Sequence, residues 1–312
     1  MENETYKVCV YMSTYNGEKY LREQIDSILN QRNVETIICI RDDGSKDDTV
    51  KIVQEYIEKG CPVILERGEN IGFAKSFMQI SQTRIDAHYY AFSDQDDVWK
   101  KDKLARAVKM MGSRDGAVLY GGNIFITDEN LQYKGTWCNK KNFEVMRERI
   151  LRYYALGYNL YGCSMVWNRK MQELIWKHMP HYINGQDVYV TMLAGALGEI
   201  IVDKKPMTLH RMHAKNTAGI ESNIIRRAIK GYRLYVGTGH RELSKVGNEL
   251  INAYMNKGIN FNNNQGTAAL YALANYKESI RKKLYLISLL NIKILGMLHF
   301  LFNMLLIIMD KF

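Results

Sequence analysis

The sequence predicts an α/β fold with a mostly parallel sheet flanked by helices, followed by a helical C-terminal extension. Three observations carry this. Through about residue 130, short apolar runs rich in β-branched residues alternate with longer segments of 3.6-residue apolar periodicity. After Gly219 the strand signals fade and helical periodicity alone remains. The chain of 312 residues, 46% hydrophobic and 24% charged, is long enough to bury a large core and too apolar for wholesale disorder.

Taken in order, residues 7–13 read as a first strand, and Tyr20, Leu21, Gln24, Ile25, Ile28 and Leu29 mark one face of a helix. Residues 35–41 are a second strand, after which Ser45-Lys46-Asp47-Asp48 reads as a capping box opening a helix over 49–59. A strand at 62–67, a helix at 72–83, a strand at 87–93 and a helix at 99–111 follow. The stretch 116–206 mixes loops with strands at 117–120, 123–127 and 158–167 and a helix at 187–197. Helices are expected at 224–235, 243–256 and 267–283, with a polar linker at 260–266. These divide the chain into a catalytic-type domain, 1–218, and a helical region, 219–312.

Residues 284–309 are almost continuously Leu, Ile, Phe and Met, long enough at ~1.5 Å per residue to cross a bilayer. Ser288, Asn291, Gly296, His299 and Asn303 nevertheless fall near a spacing of three or four, on one stripe, and Arg281-Lys282-Lys283 precedes them. This reads as a membrane-associating helix lying in the interface rather than a clean span. A core helix, or one packing in a homo-oligomer, is the alternative. The formal charge of +10 favours anionic partners. The five cysteines (Cys9, Cys39, Cys61, Cys138, Cys163) contain no C-x-x-C pair and read as reduced thiols. With a polar, acidic start at Met1–Lys7 and no secretory signal, the expected location is cytoplasmic, peripheral at the inner face of a bacterial cell membrane.

Three polar clusters each begin where a strand ends: Thr14-Tyr15-Asn16-Gly17-Glu18, Asp42-Asp43-Gly44-Ser45 and Asp94-Gln95-Asp96-Asp97. Ligands of open α/β sheets bind at those carboxyl ends, so the clusters can converge. Three carboxylates within four residues repel one another unless a cation is present, and hard oxygen ligands suit Mg²⁺ or Mn²⁺. Alone, the third cluster reads equally as a solvated loop capping the next helix; the companion clusters tip the balance toward a site.

The runs VYMSTYNGEKYLREQIDSILNQ, RDDGSKDDTVKIVQEY, ENIGFAKSF and FSDQDDVWKKDKL, in this order and spacing, resemble family 2 glycosyltransferases of the GT-A fold over about residues 6–215. The resemblance implies a metal-dependent transferase that uses a nucleotide-diphosphate sugar. Thr14, Tyr15 and Glu18 would then line the pocket for base and ribose. Asp43, with Asp42 beside it, would hydrogen-bond uracil or thymine. Asp94 would face ribose and metal, Asp96 would hold the metal between the phosphates, and Asp97 would serve as a supporting or acceptor-side carboxylate. Asn184-Gly185-Gln186-Asp187 resembles the family's acidic motif ahead of a helix, with Gln186 in place of the common Glu. Asp187 becomes the catalytic base for inverting transfer; otherwise it would simply cap the helix. Arg211-Met212-His213-Ala214-Lys215-Asn216 matches an R-x-H-x-x-N segment in which His213 completes the metal site and Arg211 offsets diphosphate charge.

FSDQDDVW and the Thr-Tyr-Asn-Gly start look most like bacterial rhamnosyltransferases of surface polysaccharide assembly, implying dTDP-L-rhamnose, with UDP-hexoses as the alternative donors. The basic, apolar C-terminus points to a polyprenyl-linked saccharide acceptor. A nucleotidyltransferase would carry a Gly-rich phosphate loop after the first strand, which Ser13-Thr14-Tyr15-Asn16-Gly17 is not. A non-catalytic basic module binding nucleotide or nucleic acid could use Arg226, Arg227, Lys230 and Arg233 with Tyr232 and Tyr235. No nucleic-acid motif accompanies them, so no nucleic-acid partner is expected.

Overall fold

The computed structural model describes residues 5–183, 185–213 and 243–290 and positions 301, 304, 307 and 308. The expected helix at 224–235 with its basic face, the domain boundary at 218, Asn184, the Ala214–Asn216 end of the R-x-H-x-x-N segment and most of 284–309 lie outside these residues.

The main sheet has seven strands in the order β3-β2-β1-β4-β9-β6-β10. They are β1 (Tyr6–Thr14), β2 (Val34–Asp42), β3 (Val63–Arg67), β4 (Tyr89–Ser93), β6 (Val118–Gly122), β9 (Val166–Asn168) and β10 (Glu199–Asp203). All pairs are parallel except those of β9, which runs antiparallel to both β4 and β6. A second sheet, in the order β5-β11-β7-β8, comprises β5 (Val98–Trp99), β7 (Phe125–Thr127), β8 (Tyr133–Thr136) and β11 (Thr208–Arg211).

Strand β1 shows why the first apolar runs are unbroken rather than alternating. Val8, Val10 and Met12 join a core with Leu21, Ile25 and Ile28 of α1 (Leu21–Leu29), Ile52 and Val53 of α2 (Thr49–Glu58), and Leu104, Ala107 and Val108 of α4 (Lys103–Met111). Cys9 and Tyr11 point to the other face, among Phe77 and Met78 of α3 (Phe73–Ile80) and Met171 and Ile175 of α6 (Arg169–Ile175). Both faces are covered, so every position from Val8 to Met12 is apolar. The second core also takes in α5 (Phe143–Tyr153), α7 (Gln186–Leu197), α8 (Leu243–Met255) and α9 (Gln265–Ala274), with Leu250, Tyr254 and Leu270 fully buried among them. The described C-terminal helices therefore share the core of the sheet.

Several local expectations are corrected. Ser45 does not cap α2: its hydroxyl is bonded to Asp42, and Asp47 accepts from the Thr49 amide at 3.0 Å instead. The strand expected over 158–167 shrinks to β9, because a 3-10 turn at Gly162–Ser164 interrupts it. The mixed pattern of 116–206 does not reveal helices α5 and α6 or strands β8 and β10, and β11 lies just beyond it. The helix expected over 267–283 begins at Gln265 as α9 but stops at Ala274; after a 3-10 turn at Tyr276–Glu278 the chain starts a new helix, α10 (Ile280–Leu289). Among the described residues no helix is long and apolar enough to cross a membrane. All five cysteines are free thiols, with the Cys9 and Cys39 sulfurs 3.6 Å apart.

Candidate active site

A cavity of about 540 Å³ opens at the carboxyl ends of β1, β2 and β4, lined among others by Tyr15, Asp43, Asp94, Asp96, Asp187 and His210. Parallel pairing places Ser13 beside Arg41 and Thr14 beside Asp42 in register, so the loops after β1 and β2 leave the sheet side by side. Residues from three separate stretches of sequence, with the N-terminus of α7 opposite, meet as the expected switch-point geometry requires.

The first wall is tied together by hydrogen bonds. Asp42 accepts from the amides of Gly44 (3.2 Å) and Ser45 (2.9 Å) and from the Thr14 hydroxyl (3.1 Å). Gly44 has φ +84°, and a side chain there would sit 3.4 Å from the Asn70 amide, so the turn needs glycine. Asp43 accepts from the amides of Ile71 and Gly72, each at 3.0 Å, and pairs with the buried Arg41 guanidinium. Arg41 also donates to the Glu69 carbonyl at 3.1 Å. Asp43 thus lines the cavity while stitching the β2 loop to residues 69–72.

The other wall concentrates charge. Burial first, and then Asp97 and Asp96 nearby, hold the Asp94 carboxyl well above the usual carboxylate range. Burial and Asp97 likewise raise Asp96, against a lowering contribution from His213, whose Nε2 lies 2.8 Å from Asp96 Oδ2. Asp97 is fully buried; its Oδ1 is 2.9 Å from His210 Nδ1 and accepts from the Arg211 amide at 3.2 Å, while Oδ2 has no hydrogen-bond partner. Burial disfavours the imidazolium of His210, but the charge and hydrogen bond of Asp97 outweigh it and raise its pKa. Asp187 sits in the first turn of α7 and accepts from the Val188 amide at 2.8 Å; burial pushes it up to about 6.

Of the expected site residues, Tyr15, Asp43, Asp94, Asp96 and Asp187 line the cavity. His213 stands directly behind Asp96, its ring 5.0 Å from that of Tyr20. Four others are turned to different work. Thr14 and Asp42 bond each other below the surface. Glu18 accepts from the Asp48 amide at 2.9 Å, away from the cavity. Arg211 is buried: it donates to the Asp96 carbonyl at 2.9 Å and to Glu23 at 2.6 Å and stacks over Tyr20, so it fixes the loop that carries Asp96. The sequence reading passed over His210, Asn159, Tyr161 and Lys103. The first three line the cavity or its floor. The Lys103 ammonium lies 3.4 Å over the Trp99 ring, and burial pulls it down to about 7. The alternation of β11 could have flagged His210, which points opposite to Arg211; Asn159 and Tyr161 sit in a loop with no pattern to read.

The donor set suits a hard divalent cation. Asp94 and Asp96 offer carboxylate oxygens and His213 an imidazole, and the raised carboxyls are crowded in the way a cation relieves. Among the described residues, however, the group whose ligand atoms all lie within 4.8 Å of one another is Asp94, Asp97, Cys163 and His210, without Asp96 or His213, and its thiol suits softer metals than Mg²⁺.

Comparison with known proteins places these features among transferases. The model described as glycosyl transferase family 2 matches residues 9–175, more than half of the chain; Asp187 and His213 lie past its end. The dTDP-rhamnosyl transferase RfbG of Shigella flexneri is 28% identical over 270 residues, covering 79% of this chain and 89% of that protein. The putative teichuronic acid biosynthesis glycosyltransferase TuaG of Bacillus subtilis is 34% identical over 124 residues, covering 39% and 48%. Among solved structures, S. aureus TarS 1–349 in complex with UDP-GlcNAc superposes with a TM-score of 0.59 at 16% identity, covering 91% of this chain and 79% of that one. The mannosyltransferase PcManGT from Pyrobaculum calidifontis, in complex with GDP-Man and Mn²⁺, gives 0.50 at 14% identity, covering 99% and 88%.

Proposed function

The chain belongs to glycosyl transferase family 2 and is a glycosyltransferase of the GT-A fold; we propose that it transfers L-rhamnose from dTDP-L-rhamnose, with inversion, to a polyprenyl-linked saccharide in cell-surface polysaccharide synthesis. The observation that carries the reading is the single cavity lined by Asp43, Asp94, Asp96 and Asp187. The similarity to a dTDP-rhamnosyl transferase across most of both chains supports the donor.

In this reading Tyr15 and Asp43 receive the base and ribose, and Thr14, Asp42, Glu18 and Arg211 hold the loops that present them. Asp94, Asp96 and His213 would hold Mg²⁺ or Mn²⁺, which when bound supplies charge stabilisation for the departing diphosphate. Asp187 takes the proton from the acceptor hydroxyl as that oxygen attacks the anomeric carbon. A carboxylate raised to about 6 suits the task, because it is a stronger base than an ordinary aspartate yet still ionised at neutral pH.

The reading also places the protein at the inner face of the cell membrane. On α10, Ile280 and Leu284 are 74% and 60% exposed, with Arg281, Lys282 and Lys283 between them. An apolar face beside basic residues suits anionic headgroups. Deleting residues 284–312 should release the protein from membranes; unchanged association would count against that placement. The donor is tested by incubating the protein and Mn²⁺ with dTDP-L-rhamnose and a panel of UDP-hexoses and measuring nucleoside diphosphate release. Faster release from a UDP-hexose would replace the rhamnosyl donor while leaving the transferase intact.

A further inference from the structure

The helix that begins beside Asp187 is held on its approach by α8 and at its far end by the linker between α8 and α9. Before its N-terminus, Glu249 of α8 spends both carboxylate oxygens on the approaching loop. Oε1 accepts from the His181 amide at 2.8 Å and lies 2.8 Å from His181 Nδ1 and 3.0 Å from His178 Nε2, while Oε2 accepts from the Tyr182 amide at 3.0 Å. Burial opposes ionisation of Glu249, but these backbone donors outweigh it and hold the carboxyl below its ordinary value. Midway, the Tyr254 hydroxyl lies 3.5 Å from that of Tyr189 and donates to the Leu174 carbonyl at 2.9 Å. At the far end, Asn262 donates through Nδ2 to the carbonyls of Gly195 (3.2 Å) and Gly198 (2.7 Å) and through its amide to Ala196 (2.6 Å). The last carbonyls of a helix have no partner within it, so these bonds fix where α7 ends. A side chain at Gly195 would collide with the Tyr154 ring at 2.4 Å, so glycine there lets α7 pack close against the turn after α5.

We propose that Glu249 and Asn262 are positioning residues for Asp187: by holding the loop ahead of α7 and the far end of α7, helix α8 and the linker that follows it set where the base stands in the cavity. This rests on the reading of Asp187 as the base. Neither residue lines the cavity, so neither touches substrate.

Glu249→Ala in the full chain leaves the His181 and Tyr182 amides unpaired and frees the loop ahead of α7. Transfer kcat then falls about 10- to 100-fold, the scale of a ~1 Å misplacement, while donor KM and Mn²⁺ affinity stay within about twofold. The acid limb of the kcat profile moves, because the burial of Asp187 changes with its position. Glu249→Gln, which keeps a carbonyl acceptor, recovers most of the rate. Asn262→Ala, at the opposite end of α7, gives the same kcat-selective loss and serves if Glu249→Ala does not fold. A loss of rate that merely tracks the loss of folded protein in a circular-dichroism melt, or a raised donor KM at unchanged kcat, overturns the inference. Asp187→Asn separates the two levels. If it is as active as the native protein, the base assignment fails; if it is inactive while both Glu249→Ala and Asn262→Ala keep native kcat and pH profile, the positioning inference alone fails.

Discussion

The two walls of the cavity are built on opposite principles. Around Asp42 and Asp43 the carboxylates are met by backbone amides, a hydroxyl and a buried guanidinium, so the wall is complete before any ligand arrives. Around Asp94, Asp96, Asp97 and Asp187 the carboxylates crowd one another, three of them are raised by burial, and Asp97 keeps an oxygen without a hydrogen bond. A satisfied wall gives shape and selects; a wall short of positive charge is where charge and protons move. The same residue type therefore does structural work on one side and chemical work on the other, and only its neighbours distinguish the two.

The largest effect that would break this contrast is on the base. Asp187→Asn should lower transfer by about 10²–10⁴-fold with donor binding intact, as read by product formation against equilibrium binding of the donor. A near-native rate would return Asp187 to the role of a helix cap. Asp96→Asn should cost about 10²–10³-fold and remove the response to Mn²⁺; an unchanged metal titration would take Asp96 out of the cation site. On the satisfied wall the prediction is of another kind. Asp43→Ala strands the buried Arg41 guanidinium, so the native state should lose about 3–5 kcal/mol in denaturant unfolding, alongside a raised donor KM. Stability unchanged by that substitution would mean that the wall is not held as drawn.

A smaller effect comes from pH. Asp187 must be ionised to accept a proton, so kcat should fall as the pH drops through about 6, and Asp187→Asn should lack that limb. The smallest concerns the surface outside both walls. Replacing Lys282 and Lys283 with Ser should weaken binding to anionic vesicles by about 1 kcal/mol per residue and leave binding to neutral ones alone, measured by vesicle sedimentation.

Much of the fold was legible because local chemistry wrote it. Apolar runs covered on both faces announce parallel strands, and the clusters after β1, β2 and β4 announce the edge at which a ligand sits. Asp43, Asp94 and Asp96 could be placed at one edge for that reason, whereas Asp187 entered only through the resemblance to the family's acidic motif. Arg211 and His210 show the limit. Adjacent on one strand, they differ in side: Arg211 clamps the Asp96 carbonyl under Tyr20, whereas His210 faces the cavity beside Asp97. Asn159 and Tyr161 carry no pattern at all, since a loop residue acquires its role from whatever the rest of the chain brings against it.

The sequence alone determined the alternation of main-sheet strands and helices from β1 through α4 and the types of group at the sheet edge, because periodicity and loop composition are local properties. Tertiary structure alone decided which carboxylates are satisfied and which stay short of positive charge. It also brought Glu249 from α8 and Asn262 from the linker after it to the two ends of α7. Burial and hydrogen-bond partners depend on contacts between residues far apart in the chain, and no local pattern encodes them.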